Sequence, residues 1–188
     1  TGIGPMMEAA RMIAKSGAKP KRTILFIGFA GEEFGLLGAQ AWVKAHKDKL
    51  PKIANLFNRD GGPEPPVGIS VPQAMYDDFV KISEPIQKIR PDYPFEVKVR
   101  EPRKRPTRMG GTDASVFAIE GVPTLGFTTE DFKGYDFDYG EIWHTERDLY
   151  TKNIPEYQEH TATVTAIIAL GVANLDKQLS REGLYTEE

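Results

Sequence analysis

Helical spacing and unbroken apolar runs take turns along this chain. After the turn-like opening Thr1, Gly2, Ile3, Gly4 and Pro5, the residues Met6, Ala9, Ala10, Ile13 and Ala14 recur at helical spacing as far as Ser16 and Gly17, which predicts a first helix. Residues 23–30 then form a continuous apolar run, the pattern of a central strand covered on both faces in a parallel sheet. Residues 34–47 return to helical period, with Leu37, Ala41 and Val43 inward and lysines near the end, where they suit the helix dipole. A second short strand is predicted over 53–58, broken by Asp60, Gly61, Gly62 and Pro63, and a proline-rich connection continues to Pro72.

The second half repeats the alternation. Met75, Phe79, Ile82, Ile86 and Ile89 predict a helix over 73–89, and residues 95–99 alternate apolar with charged positions, as an edge strand does. Thr112 is placed to cap a short helix through Ile119, ended by Gly121 and followed by a buried strand over 122–127. A loop rich in aromatic and acidic side chains covers 128–143, and Pro155 suits the first position of a last helix to about Leu179. No internal repeat, low-complexity tract or interdomain linker interrupts this order. Helices alternating with buried strands predict a three-layer α/β/α sandwich with a mostly parallel central sheet, in one domain spanning residues 1–188.

Bulk properties narrow the function classes. The formal charge is −3, the sequence pI is about 5.7, and acidic and basic residues are interspersed, so no broad basic face points to nucleic acid. The chain has no cysteine, so any metal here is held by oxygen and imidazole. Its longest apolar runs are strand-sized, and the amino end lacks a charged stretch followed by an apolar one; neither a membrane span nor a signal peptide is expected in this stretch. The signatures HExxH, GxSxG, GxGxxG and the phosphate-binding P-loop are all absent.

Candidate chemistry gathers at element ends. Ligands collect at the carboxyl ends of strands in open α/β sheets, where Glu32 and Glu33 follow the run 23–30. Adjacent carboxylates can divide labour, one binding a metal and the other taking a proton from water as general base. The same pair also reads as a polar helix start that favours the dipole. Asp60 reads either as a third ligand or as half of an Asp-Gly turn. His144 lies in a loop between Trp143 and Thr145, with Asp148 placed to accept from the ring N–H. His46 and His160 are explained by a helix end and by packing beside Val164, Ile167 and Gly171. The run 98–108 holds six basic residues and reads as a solvated loop or as a site for a substrate carboxylate. Phe132, Tyr135, Phe137 and Tyr139, with Glu130, Asp131, Asp136, Asp138 and Glu141, either wall a pocket for a cationic amine or anchor a long loop.

Taken together, AGEEFGLLG at 30–38, NRD at 58–60, GGTDASVF at 110–117 with GVP at 121–123, and WHTERD at 143–148 resemble the co-catalytic dizinc aminopeptidases, particularly the branch containing plasma glutamate carboxypeptidase. The resemblance covers nearly the whole chain through the order and spacing of these motifs. It implies that Glu32 is the general base, Glu33 a zinc ligand, His144 a ligand of the same zinc, Asp60 a ligand of the other and Asp113 a supporting pocket residue. It also implies a peptide or dipeptide substrate, cleaved at its N-terminal bond, and a location outside the cytoplasm. A dipeptidase or carboxypeptidase of the same fold, and a non-catalytic binding domain, are the alternatives. Such enzymes carry an upstream His-x-Asp and a further aspartate bridging both metals, shortly before the helix that here begins near Gly4. The resemblance therefore implies the carboxyl-side part of a catalytic domain, without its early strands and unable to assemble the dizinc site unaided.

Overall fold

A computed structural model describes residues 1–186. Its elements run α1 (Ile3–Lys15), α2 (Leu37–Ala45), β1 (Pro66–Val71), α3 (Tyr76–Ile89), β2 (Glu96–Val99), α4 (Ala114–Ile119), β3 (Phe127–Thr129), α5 (Tyr139–Ile142) and α6 (Pro155–Asn174), with short 3-10 turns at Leu50–Lys52, Gln73–Met75 and Tyr150–Lys152. The mixed α/β class read from the sequence holds. The sheet has the order β2-β1-β3, β1 running parallel to β2 and antiparallel to β3. Helices α1 and α3 each pack on α6, whereas α2 packs on α4, so the helices form two groups, as a layered arrangement requires. One apolar cluster joins β1 to α3 and α6 through Ile69, Val71, Phe79, Ile86, Val164 and Ile168. A second gathers Leu36, Ala39, Val43, Val116, Phe117 and Val122 around α2 and α4.

The central strand is β1, inside the stretch read from sequence as a proline-rich connection. Pro66 is its first residue and Pro72 lies just beyond its end, positions where a missing N–H costs the ladder nothing. Conversely, residues 23–29, expected as the central strand, join no ladder among the described residues. They alternate instead: Leu25 is 63% exposed, while Ile24, Phe26 and Phe29 are partly covered. Burial on one face only, with no neighbour to bond, leaves an extended segment unpaired. Residues 53–58 and 122–127 are likewise not mutual ladder strands, although Leu56 N–H donates to the Pro123 carbonyl at 2.9 Å and Asn55 Oδ1 accepts from Leu125 N–H at 2.9 Å. The inward face of α2 is Ala39 and Val43 rather than Leu37 and Ala41, because the preceding turn sets the helix phase. The last helix ends at Asn174, earlier than Leu179, where Arg22 and Lys21 engage Leu175 and Asp176. Among the described residues no helix is long and apolar enough to cross a membrane.

His160, read as a packing residue, is fully buried in α6 and stacks on Tyr93 with ring centroids 4.0 Å apart. Its Nε2 lies 3.0 Å from the Pro66 carbonyl, which makes the neutral ring a donor at that atom; Nδ1 has no partner. Burial pushes its pKa down to about 4 against an ordinary 6.5; nearby Arg90 and Lys133 push the same way and Asp92 opposes them. The neutral imidazole therefore stabilises the fold fully above pH 6.5, and that contribution is lost as pH falls toward 4. Urea midpoints should drop more steeply between pH 7 and 4.5 in the wild type than in His160→Gln; parallel curves would exclude this linkage.

Gly68 pairs with Glu96 on one side and Thr128 on the other, and an added Cβ would run into the Glu96 carbonyl. A backbone atom cannot swing aside, so Gly68→Ala should cost about 1–3 kcal/mol. Thermal unfolding checks this, with an unchanged midpoint as the contrary result.

Candidate metal and active site

Residues 30–38 fold back on themselves before α2. Leu36 N–H bonds the Glu32 carbonyl at 2.8 Å, Leu37 N–H the Gly31 carbonyl at 3.1 Å and Gly38 N–H the Ala30 carbonyl at 2.8 Å. Gly31 and Gly35 take positive φ, and a Cβ on Gly38 would sit 2.7 Å from both Ala30 N and O. The glycine spacing thus follows from the turn. Because α2 begins only at Leu37, with no acidic residue in its first turn, neither glutamate caps it, and the helix-start reading of the pair fails.

The turn delivers Glu33 to His144, whose Nε2 lies 3.0 Å from Glu33 Oε1 across 111 residues of sequence. His144 follows α5 with φ 57°, its ring 4.5 Å from that of Trp143. Both partners stay accessible, with side chains 54% and 64% exposed for His144 and Glu33, so the pair faces solvent rather than the core. Asp148 makes no hydrogen bond to the imidazole among the described residues, although its charge acts on nearby Tyr139.

Asp113 precedes α4 and is buried. The N-cap position is Asp113 rather than the expected Thr112, and no side chain caps the helix; the Thr112 hydroxyl only accepts from Ala114 N–H at 3.3 Å within the turn before it. The Asp113 Oδ1 is buried without a partner. Asp60 ends the extended stretch after Asn58 and borders a cavity of about 380 Å³, which Arg59, Thr112, Phe127 and Tyr139 also line. Sequence reasoning passed over Arg59, whose only signal was a charged residue next to Asp60.

These groups also act on one another electrostatically. Loss of water raises the Glu32 pKa, and the charges of Asp60, Glu33 and Asp113 raise it further while His144 opposes them. Asp60 is raised by partial burial and then by Glu33; Asp113 by burial and then by Asp60. Partial burial raises Tyr139 as well, followed by Asp60 and Glu33. Tyr135 is not part of this group. Its hydroxyl bonds Glu156, which also holds Lys133 and the Tyr93 hydroxyl, and these bonds push Glu156 down to about 2. Together with Asp131 and Tyr157, bonded at 2.6 Å, this cluster ties the aromatic loop to α6, the anchoring alternative for that residue.

The profile of peptidase family M28 matches residues 1–168. This chain is a member of peptidase family M28. The M28 chain is 24% identical over 179 residues to carboxypeptidase Q of Mus musculus, an alignment covering 93% of this chain and 34% of that protein. Over 60 residues, 32% of this chain and 12% of the relative, it is 42% identical to a probable zinc metalloprotease of Phaeosphaeria nodorum. The crystal structure of a peptidase M28 precursor from Shewanella amazonensis superposes with a TM-score of 0.73 at 26% identity, covering 95% of this chain and 38% of that one. The chain spans about a third of the length of carboxypeptidase Q.

Carboxylate oxygen and imidazole nitrogen are the donors zinc takes when thiolates are missing, so the M28 chain fits zinc in donor type. It falls short in number: among the described residues no three such side chains converge closely enough to hold one ion. Titration of residues 1–188 with zinc should therefore show at most one weak site, abolished in His144→Ala. Two tight sites would contradict the donor count.

Proposed function

We propose that the natural protein containing this chain is a zinc-dependent exopeptidase that hydrolyses the N-terminal bond of a peptide or dipeptide, and that residues 1–188 are part of its catalytic domain. The observation that carries the reading is the Glu33–His144 contact at 3.0 Å, with Glu32 next to it and its pKa raised by loss of water and by nearby carboxylates. Family membership and the zinc metalloprotease relative support the metal. Glu33 and His144 would hold one ion, and Asp60 would contribute to a second. Zinc supplies Lewis acidity toward the scissile carbonyl and toward water.

In this reading Glu32 takes the proton of the attacking water and passes it to the leaving amine. A carboxylate whose pKa is raised accepts that proton more readily at neutral pH and still returns it. Asp113 keeps its unpartnered oxygen turned inward as a pocket residue, and Tyr139 borders the substrate cavity. The donors missing from this stretch come from another part of the same domain. The unpaired segment 23–29, apolar on its open side, supports such a neighbour. A location outside the cytoplasm rests on the family resemblance.

Glu32→Gln in the full-length protein should lower turnover of amino-acid arylamides by about 100-fold or more while zinc content stays constant. Near-normal turnover in that variant would remove Glu32 from the mechanism.

A further inference from the structure

The loop that delivers His144 is coiled at its start around the carboxylate of Asp131. Oδ1 accepts from the Tyr135 N–H at 3.1 Å and Oδ2 from the Phe137 N–H at 3.4 Å, while the Asp131 carbonyl accepts from the Gly134 N–H at 3.1 Å. Gly134 and Asp136 take positive φ, the bends that turn successive N–H groups toward one pair of oxygens. Such a coil is only as well placed as the carboxylate at its centre. That carboxylate is fixed by Tyr157, which is fully buried in α6. The Tyr157 hydroxyl donates to Asp131 Oδ1 at 2.6 Å and accepts from the Lys133 N–H at 3.0 Å.

What lies between this anchor and His144 has little restraint of its own. Phe137 lines the cavity beside Asp60, Asp138 accepts from the Gly140 N–H at 2.8 Å, and α5 is only four residues long, too short to hold itself in water. Trp143 and His144 follow it, exposed, with their rings 4.5 Å apart. The chain then returns to where it left: α6 begins at Pro155, so the excursion over 131–154 leaves and re-enters at one helix end, and the Asp131–Tyr157 bond closes its neck. Closing a loop at its neck removes conformations open to everything the loop carries. Glu156 holds the side chains of Lys133 and Tyr135, whereas Asp131 holds the backbone that leads on to α5.

We propose that Asp131, clamped by Tyr157, is a positioning residue that closes the neck of this loop and so sets His144 against Glu33. Its consequence for zinc rests on the peptidase reading above. The geometry lets Asp131 act on the metal site without touching it.

The test uses the full-length protein labelled with fluorotryptophan, the Trp143 fluorine NMR signal being assigned by its loss in Trp143→Phe. Asp131→Ala and Tyr157→Phe should shift or broaden the Trp143 signal and weaken zinc binding, read by competition with a chelator, by about ten-fold or more. Asp131→Asn, which keeps an acceptor for Tyr157 and Tyr135 but not for Phe137, should fall between them and the wild type. The Trp42 signal, from the cluster around α2 and α4, should stay in place, which a general loss of fold would not allow. If Asp131→Ala does not fold, Asp131→Asn and Tyr157→Phe decide. A Trp143 signal unmoved in the folded variants, or zinc affinity within two-fold of wild type in all of them, overturns the proposal. If the wild type binds no zinc, the peptidase reading fails by itself, and the Trp143 signal alone decides whether Asp131 places the loop.

Discussion

Four carboxylates lie within electrostatic reach of one another, and their mutual repulsion is the constraint to which the rest of the site answers. Glu32, Glu33, Asp60 and Asp113 come from a turn, the end of an extended stretch and the start of a helix, and loss of water together with neighbouring charge works against ionisation of Glu32, Asp60 and Asp113. Like charges brought together away from bulk water destabilise a fold unless cations or protons answer them. Among the described residues, His144 is the one imidazole in contact with the group, through a single carboxylate oxygen. The cationic charge proposed for this site would relieve that repulsion.

The scaffold maintains this crowding through backbone rather than side-chain packing. The turn at 31–36 is closed by main-chain bonds onto the first residues of α2, and the apolar residues that follow, Ala39 and Val43, pin the helix against α4. Helix α4 in turn holds Asp113, and the short helix α5 sets His144 in its left-handed conformation. At the other end, the bonds of Asp131, Lys133 and Tyr135 to Tyr157 and Glu156 fix the start of the aromatic loop on α6. The loop is thus held at the end remote from the acidic group, while Tyr139 and Trp143 remain at its open edge.

What could be read from the sequence was periodicity and motif order. Helices with strong 3.6-residue spacing, such as that of Phe79, Ile82 and Ile86, were legible because their buried face is written in consecutive turns. The strands were less so, since a ladder depends on which neighbour is present. The run 23–30 has strand composition and no partner, whereas β1 has prolines at both ends and two partners. Motif order named Glu33 and His144, 111 residues apart in sequence, and the structure brings those two into contact. The assignment of Tyr135 to anchoring, the missing bond from Asp148 and the place of Arg59 in the cavity wall were not legible, because each depends on side-chain direction, which residue type alone does not encode.

One consequence of the unpaired segment 23–29 concerns handling rather than chemistry. Its free N–H and C=O groups run beside Leu25 and Ile27, which are 63% and 39% exposed, with no charge between residues 23 and 30 to deter a second copy. Such an edge is a template for strand addition between molecules. Association between copies of this chain would therefore begin at this segment, where backbone and apolar side chains are open together.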